Sequence, residues 1–379
     1  MSVVPINKET LNLYQSLELK CIEGFHAIHS QAADTADEED AAKIKFKSVI
    51  KHAIEVLIDF DVTVKDLNRS YRKRFNVNFD LMWGACFAQI CTNQIVQMIG
   101  GPEGRSLGSL TSEQLLDLIA WVESFRSFME GKFPFLTVVK AKKTLFDEKP
   151  DFSSEGDDEG NKISMQESIK DILTWATNML WEVHRIAEDE FLLRTRSQVD
   201  RFLTKVYNMN QDSFYQINNT QIITSLCENI FSFVTLHLRT VRERLSNESD
   251  VIIMSACLIF SQLRQKQIRF RNNFVTSFES CCAAANDFQR MSEQCESIVS
   301  DLQSICGEET KKTMLQENCD ALVSLYSGDA VFAAQKTQYY IFEPIWTNIA
   351  NDYFGFKWEV DFTYNELSLK VVRTLVRVT

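Results

Sequence analysis

Proline is scarce in this sequence: 379 residues hold five, at Pro5, Pro102, Pro134, Pro150 and Pro344. None falls between Asp151 and Glu343, so about half the chain is free of the residue that most reliably interrupts a helix. Period-2 alternation is short and rare, and no sheet is expected. Long apolar runs are missing too. A membrane span needs about 18 or more uncharged apolar residues, and the best run, VIIMSACLIF, stops at Ser261. The opening MSVVPINKET has neither a charged n-region nor an apolar h-region, so no signal peptide is expected. Positive charge is in deficit, with a net charge of −12, which argues against nucleic-acid backbones as the ligand.

Catalytic patterns are absent as well. No G-x-S-x-G or H-E-x-x-H occurs. Gly100, Gly101, Pro102, Glu103, Gly104 and Arg105 make a glycine-rich piece, but no strand precedes it and no Lys-Ser/Thr ends it, so it reads as a helix terminator. Cys21, His26 and His29 lack a fourth ligand and the spacing of a closed zinc site. His237, beside Leu236 and Leu238, reads as a partly buried bundle histidine. The ten cysteines lie singly apart from Cys281 and Cys282, and read as reduced, buried thiols of a cytosolic chain, Cys86 and Cys91 among them. In that compartment the Asn-x-Ser/Thr matches at Asn68, Asn218 and Asn247 carry no glycan. No catalytic residue, cofactor, metal or small-molecule substrate is expected.

What the sequence has is helix periodicity, with 27 phenylalanines to build cores. From Phe274 to Leu302 the stripe Phe274, Phe278, Cys281, Ala285, Phe288, Ser292, Cys295, Val299, Leu302 is apolar at eight of nine positions, and Ala283 to Ala285 admit a close neighbour. Earlier helices are expected at Asn7–Ser30, Lys43–Phe60 and Phe79–Ile99, the last two separated by the basic piece LNRSYRKRF. Thr111, with Gln114 three residues on, has capping-box spacing and opens a helix bounded by Gly131 and Pro134. Helices are then expected at Ser164–Arg185, Glu188–Asn208, Gln221–Ser246, Asp250–Asn273, Glu308–Leu325, Ala330–Tyr353 and Phe362–Val378. Phe146 to Asn161 is acidic with Ser, Gly and Pro, and reads as a linker or loop. The expected fold is all-α, as elongated tandem helical bundles: an N-terminal bundle over residues 1–145, an acidic linker over 146–162 and C-terminal bundles over 163–379.

Two basic clusters stand out, Arg69, Arg72, Lys73, Arg74 and Arg264, Lys266, Arg269, Arg271. The ordinary reading is a solvated face with snorkelling side chains; the functional one is contact with anionic lipid or an acidic partner. The second cluster is the candidate contact site.

Four segments carry a family resemblance. LLDLIAWVESF (Leu115–Phe125) resembles the L-I-x-W-V helix of the exocyst complex component 3 family, with Phe125 at a customary tyrosine. EFLLRTRSQVDRF (Glu190–Phe202) resembles its Arg-Thr-Arg helix at Arg194, Thr195, Arg196 and Gln198, with Phe191 and Phe202 in place of Tyr and Trp. Ala283–Asn286 with Asp287 resembles its Ala-x-Ala-Asn-Asp segment, and LVSLYSGDAVFAAQKTQYYIFEPIW followed by FGFKWE resembles its paired helices. The order is kept from about Asp59 to Trp358, the family's central to C-terminal bundle region. The resemblance implies a truncated vesicle-tethering subunit of the exocyst, acting in exocytosis as a scaffold that binds sister subunits and SNARE proteins, cytoplasmic and peripheral at the plasma membrane or secretory vesicle sites. The alternative is a free-standing helical adaptor of the same family that binds anionic membrane through a basic face.

Overall fold

A computed structural model describes residues 8–32, 38–75, 77–101, 104, 106–139, 165–209, 214–217, 221–245 and 250–355. The fold is all-α. Its helices are α1 (Lys8–Ala32), α2 (Glu38–Ile58), α3 (Phe60–Tyr71), α4 (Phe79–Met98), α5 (Ser112–Lys132), α6 (Met165–Met209), α7 (Leu226–Arg244), α8 (Asp250–Phe270), α9 (Phe278–Ile305) and α10 (Glu309–Gly355), with one two-stranded ribbon, β1 (Phe214–Ile217) and β2 (Gln221–Thr224). Contacts group the chain into two compact units that divide inside α6, at Leu193 and Arg194. The acidic stretch 146–162 and the expected helix Phe362–Val378 lie outside the described residues.

The first unit is built around α4. Fourteen of its residues are buried, from Phe79 round to Ile95, because the segment is apolar on every side and only a helix enclosed by others can bury that. Helices α1, α2 and α3 pack against it. Asn78 caps its start, accepting a hydrogen bond from the Leu81 amide at 3.1 Å. Its end is set by Gly100 and Gly101, both at positive φ, with the Gly101 amide donating to the Val96 carbonyl at 2.8 Å. A side chain at Gly100 would also strike the Ser106 backbone nitrogen at 2.8 Å, so glycine is required there twice over. At Thr111 the capping box forms as the spacing predicts: Thr111 Oγ1 accepts from the Gln114 amide, and Gln114 Oε1 accepts from the Thr111 amide. The expected basic piece after α2 is partly helical, since α3 runs on to Tyr71; Arg69 lies on it and Arg72, Lys73 and Arg74 follow in the turn.

Three further expectations are corrected. The break between Arg185 and Glu188 is absent, and α6 is continuous for 45 residues. Ala187 is fully buried, and Arg185 bridges back to Glu182 and forward to Asp189 at 3.1 Å, so packing and i,i+4 pairing carry the helix through. The break near Gly328 is absent too. α10 runs 47 residues because Tyr326 is buried ahead of the glycine and the Asp329 carboxylate behind it is held by Gln267 at 2.7 Å and Arg271 at 3.3 Å. The helix expected from Gln221 instead begins as β2. The run Ile222, Ile223, Thr224 is β-branched throughout, and it pairs antiparallel with β1 from Gln221 opposite Ile217 to Thr224 opposite Phe214.

In the second unit, α9 is the organising helix and packs along α10. Its stripe is inward as the periodicity predicts, with Cys281, Phe288, Ser292, Cys295, Val299 and Leu302 buried and Phe278 and Ala285 half-buried. Its N-cap is Ser277, in a box with Ser280. Asn286 and Asp287 do something that periodicity does not announce: they bind the ribbon. Asn286 donates to the Ile222 carbonyl at 2.8 Å, and Asp287 Oδ2 accepts from the Thr224 amide at 3.0 Å and the Thr224 hydroxyl at 2.6 Å. Thr224 Oγ1 in turn accepts from the Leu226 amide at 3.0 Å, at the start of α7.

Candidate functional site

The structure disperses the cluster Arg264, Lys266, Arg269, Arg271. All sit on or just after α8, but a helix turns ~100° per residue, so Lys266 and Arg269 leave in other directions from Arg264 and Arg271, which share a face. Lys266 faces inward and is only 6% exposed. Its ammonium donates to Thr204 Oγ1 at 2.7 Å and pairs with Asp200 at 2.6 Å on α6. A lysine so committed has no charge to offer a lipid headgroup. Lys266 is therefore not part of an exposed basic face with the three arginines. Arg269 is exposed with its guanidinium over Phe270, and Arg264 is exposed.

Arg271, itself exposed, closes the outer end of a buried polar relay. The Tyr207 hydroxyl donates to Gln267 Oε1 at 3.1 Å, Gln267 Nε2 donates to Asp329 Oδ2 at 2.7 Å, and Arg271 Nη1 donates to Asp329 Oδ1 at 3.3 Å. This ties α6, α8 and α10 by side chains about sixty residues apart. Burial pushes the Tyr207 phenol well above the ordinary tyrosine range, so it stays a donor.

Beside the relay lies a groove of about 540 Å³ between α8 and α10. Arg264, Ile268 and Arg271 form one wall; Leu325, Gly328 and Phe332 form the other. Ile268 is 51% exposed and Phe332 39% exposed, so its apolar surface is open to solvent. A second, larger groove of about 950 Å³ lies in the first unit between α2 and α5, lined by Ile50, Ile54, Ile58, Trp121 and Phe128 among others.

Other candidates resolve into structure. All ten cysteines are free thiols, seven of them buried. Burial raises the Cys227 thiol to about 12 and the Cys257 thiol to about 11, far from a nucleophile's range. Among the described residues no group of His, Cys, Asp and Glu has the arrangement of a metal site; the side chains of His26 and His29 lie outside them. His237 is half-buried and its pKa is lowered by that burial. Among the described residues no helix is long and apolar enough to cross a membrane.

No family model, curated protein or solved structure matches this chain. The groove between α8 and α10 had a partial signal in the sequence, since Arg264 and Arg271 were conspicuous. Its other wall had none: Gly328 fell in the expected break between two helices, and Phe332 in the helix expected after it.

Proposed function

We propose that this protein is a non-enzymatic helical scaffold in vesicle tethering, a subunit of exocyst type that binds sister subunits and SNARE proteins at the plasma membrane or secretory vesicle sites. The observation that supports this reading most is where the segments resembling the exocyst complex component 3 family fall. Each supplies buried polar or aromatic groups: Phe125 meets Phe87 of α4, Thr195 is buried on α6, Asp287 holds the ribbon to α9, and Asp329 joins α10 to α8 through Gln267. A scaffold needs long helices held in register, and these residues supply the register.

The test is purification of the tagged chain from its own cells under mild lysis, with mass spectrometry of what accompanies it. Recovery of several large helical tethering subunits supports the reading; recovery of the chain alone refutes it. A second reading, the free-standing adaptor on anionic membrane, draws on the exposed guanidiniums of Arg264 and Arg269. Arg264→Glu with Arg269→Glu separates the two: vesicle binding lost while co-purification persists favours the adaptor.

A further inference from the structure

We infer that the groove between α8 and α10 is a docking site for an acidic amphipathic helix of another protein. The proposal deepens the scaffold reading in taking a protein as the ligand; its geometry is independent of that reading.

Shape is the first reason. The α10 wall from Ala321 to Phe332 spans roughly 16 Å at ~1.5 Å per residue, room for about three turns of a partner helix. Gly328 keeps the trough open: a Cβ built there meets nothing within 4 Å. Ile268, Leu325 and Phe332 give an apolar lining of the kind that one face of an amphipathic helix covers.

Charge is the second. The chain as a whole is at −12, yet this groove carries Arg264 and Arg271, and Lys336 lies 5.7 Å over the Phe332 ring at its edge. Asp329, in the lining, is bonded to Gln267 and offsets the charge of Arg271, which leaves Arg264, with Lys336 at the edge, as the cations not matched by an acid of the lining. The local field is positive, and the complementary partner has Asp or Glu beside its apolar stripe. Lipid fits less well. A bilayer surface takes a protruding basic face, whereas here the apolar residues lie in a trough between helices and Lys266 is turned away.

The probe is a fluorescein-labelled helical peptide of about 18 residues, Leu at i, i+3, i+4, i+7 and Glu beside them, titrated with the whole protein and read by anisotropy. Saturable binding is expected, weakened at least about tenfold by Arg264→Glu. Gly328→Leu, whose Cβ enters open space and whose side chain occupies the trough, weakens it similarly. The same peptide with Lys for Glu binds Arg264→Glu better than the parent. Unchanged circular dichroism and a melting temperature no lower than the parent's confirm that each variant is folded, and Arg264→Ala serves should the reversal disturb folding. The proposal is overturned if the acidic peptide fails to bind, if the Lys peptide binds the parent as well, or if Gly328→Leu is without effect. Arg264-dependent binding to phosphatidylserine vesicles that ignores Gly328→Leu would overturn it in favour of lipid. Failure of peptide binding alongside recovered tethering subunits would sink this docking site and leave the scaffold reading standing.

Discussion

Asp287 offers the sharpest test of how the second unit is held. It is 1% exposed, and burial raises its carboxyl from 3.8 to about 6 despite the hydrogen bonds from Thr224 and the charge of Arg290. The folded state thus holds this proton more tightly than the unfolded chain does. Its stabilising contribution is full below pH 3.8 and is lost as pH rises through about 6. At ~1.4 kcal/mol per tenfold in proton affinity, the difference is about 3 kcal/mol. Asp287→Asn removes the proton but keeps the acceptor, because an amide oxygen has lone pairs for both the Thr224 amide and hydroxyl. The variant should therefore gain on the parent by about 3 kcal/mol between pH 4 and pH 7, while all other titrating groups cancel. The assay is equilibration in urea at each pH, then a hydrogen-exchange pulse at fixed pH read in peptides of α9, so that only the second unit is followed. Profiles that stay parallel to within about 0.5 kcal/mol would refute the claim that this carboxylate is costly to ionise. Asp287→Ala should show the same pH profile as Asp287→Asn but lie about 1–3 kcal/mol below it at every pH, because the Thr224 groups are left buried without an acceptor.

Further outcomes follow from other sites. Lys266→Met should cost under about 1 kcal/mol, since its partner Asp200 is half exposed and rehydrates, whereas Asp200→Asn strands a buried ammonium and should cost about 3 kcal/mol by urea titration. Gly84→Ala should lose about 1–3 kcal/mol, because its Cβ would meet the Phe133 ring at 2.8 Å, while Gly328→Ala should gain up to about 1 kcal/mol from helix propensity; thermal melts of the pair check both. Thr111→Ala removes the capping box and should cost about 1 kcal/mol in the same assay. With a thiol reagent under native conditions, half-buried Cys306 should label first, and Cys86, Cys91 and Cys295 only on unfolding.

The sequence by itself determined the features whose causes lie within a few residues. The capping box at Thr111, the glycine stop after α4 and the inward stripe of α9 are local, because caps and periodicity depend only on neighbours one or two turns away. Tertiary structure decided the rest. Whether α6 and α10 break at Ala187 and Gly328 depended on burial and on partners such as Gln267, sixty-odd positions from Asp329. Whether Gln221 opened a helix or a strand depended on Asp287 reaching Thr224 across a separation of 63 residues. The basic cluster on α8 looked uniform in one dimension; one lysine found an acid on α6 and turned inward, and two arginines became the wall of a groove whose other wall lies on α10. Side chains choose their surroundings by desolvation and pairing, and those surroundings exist only once the helices have met.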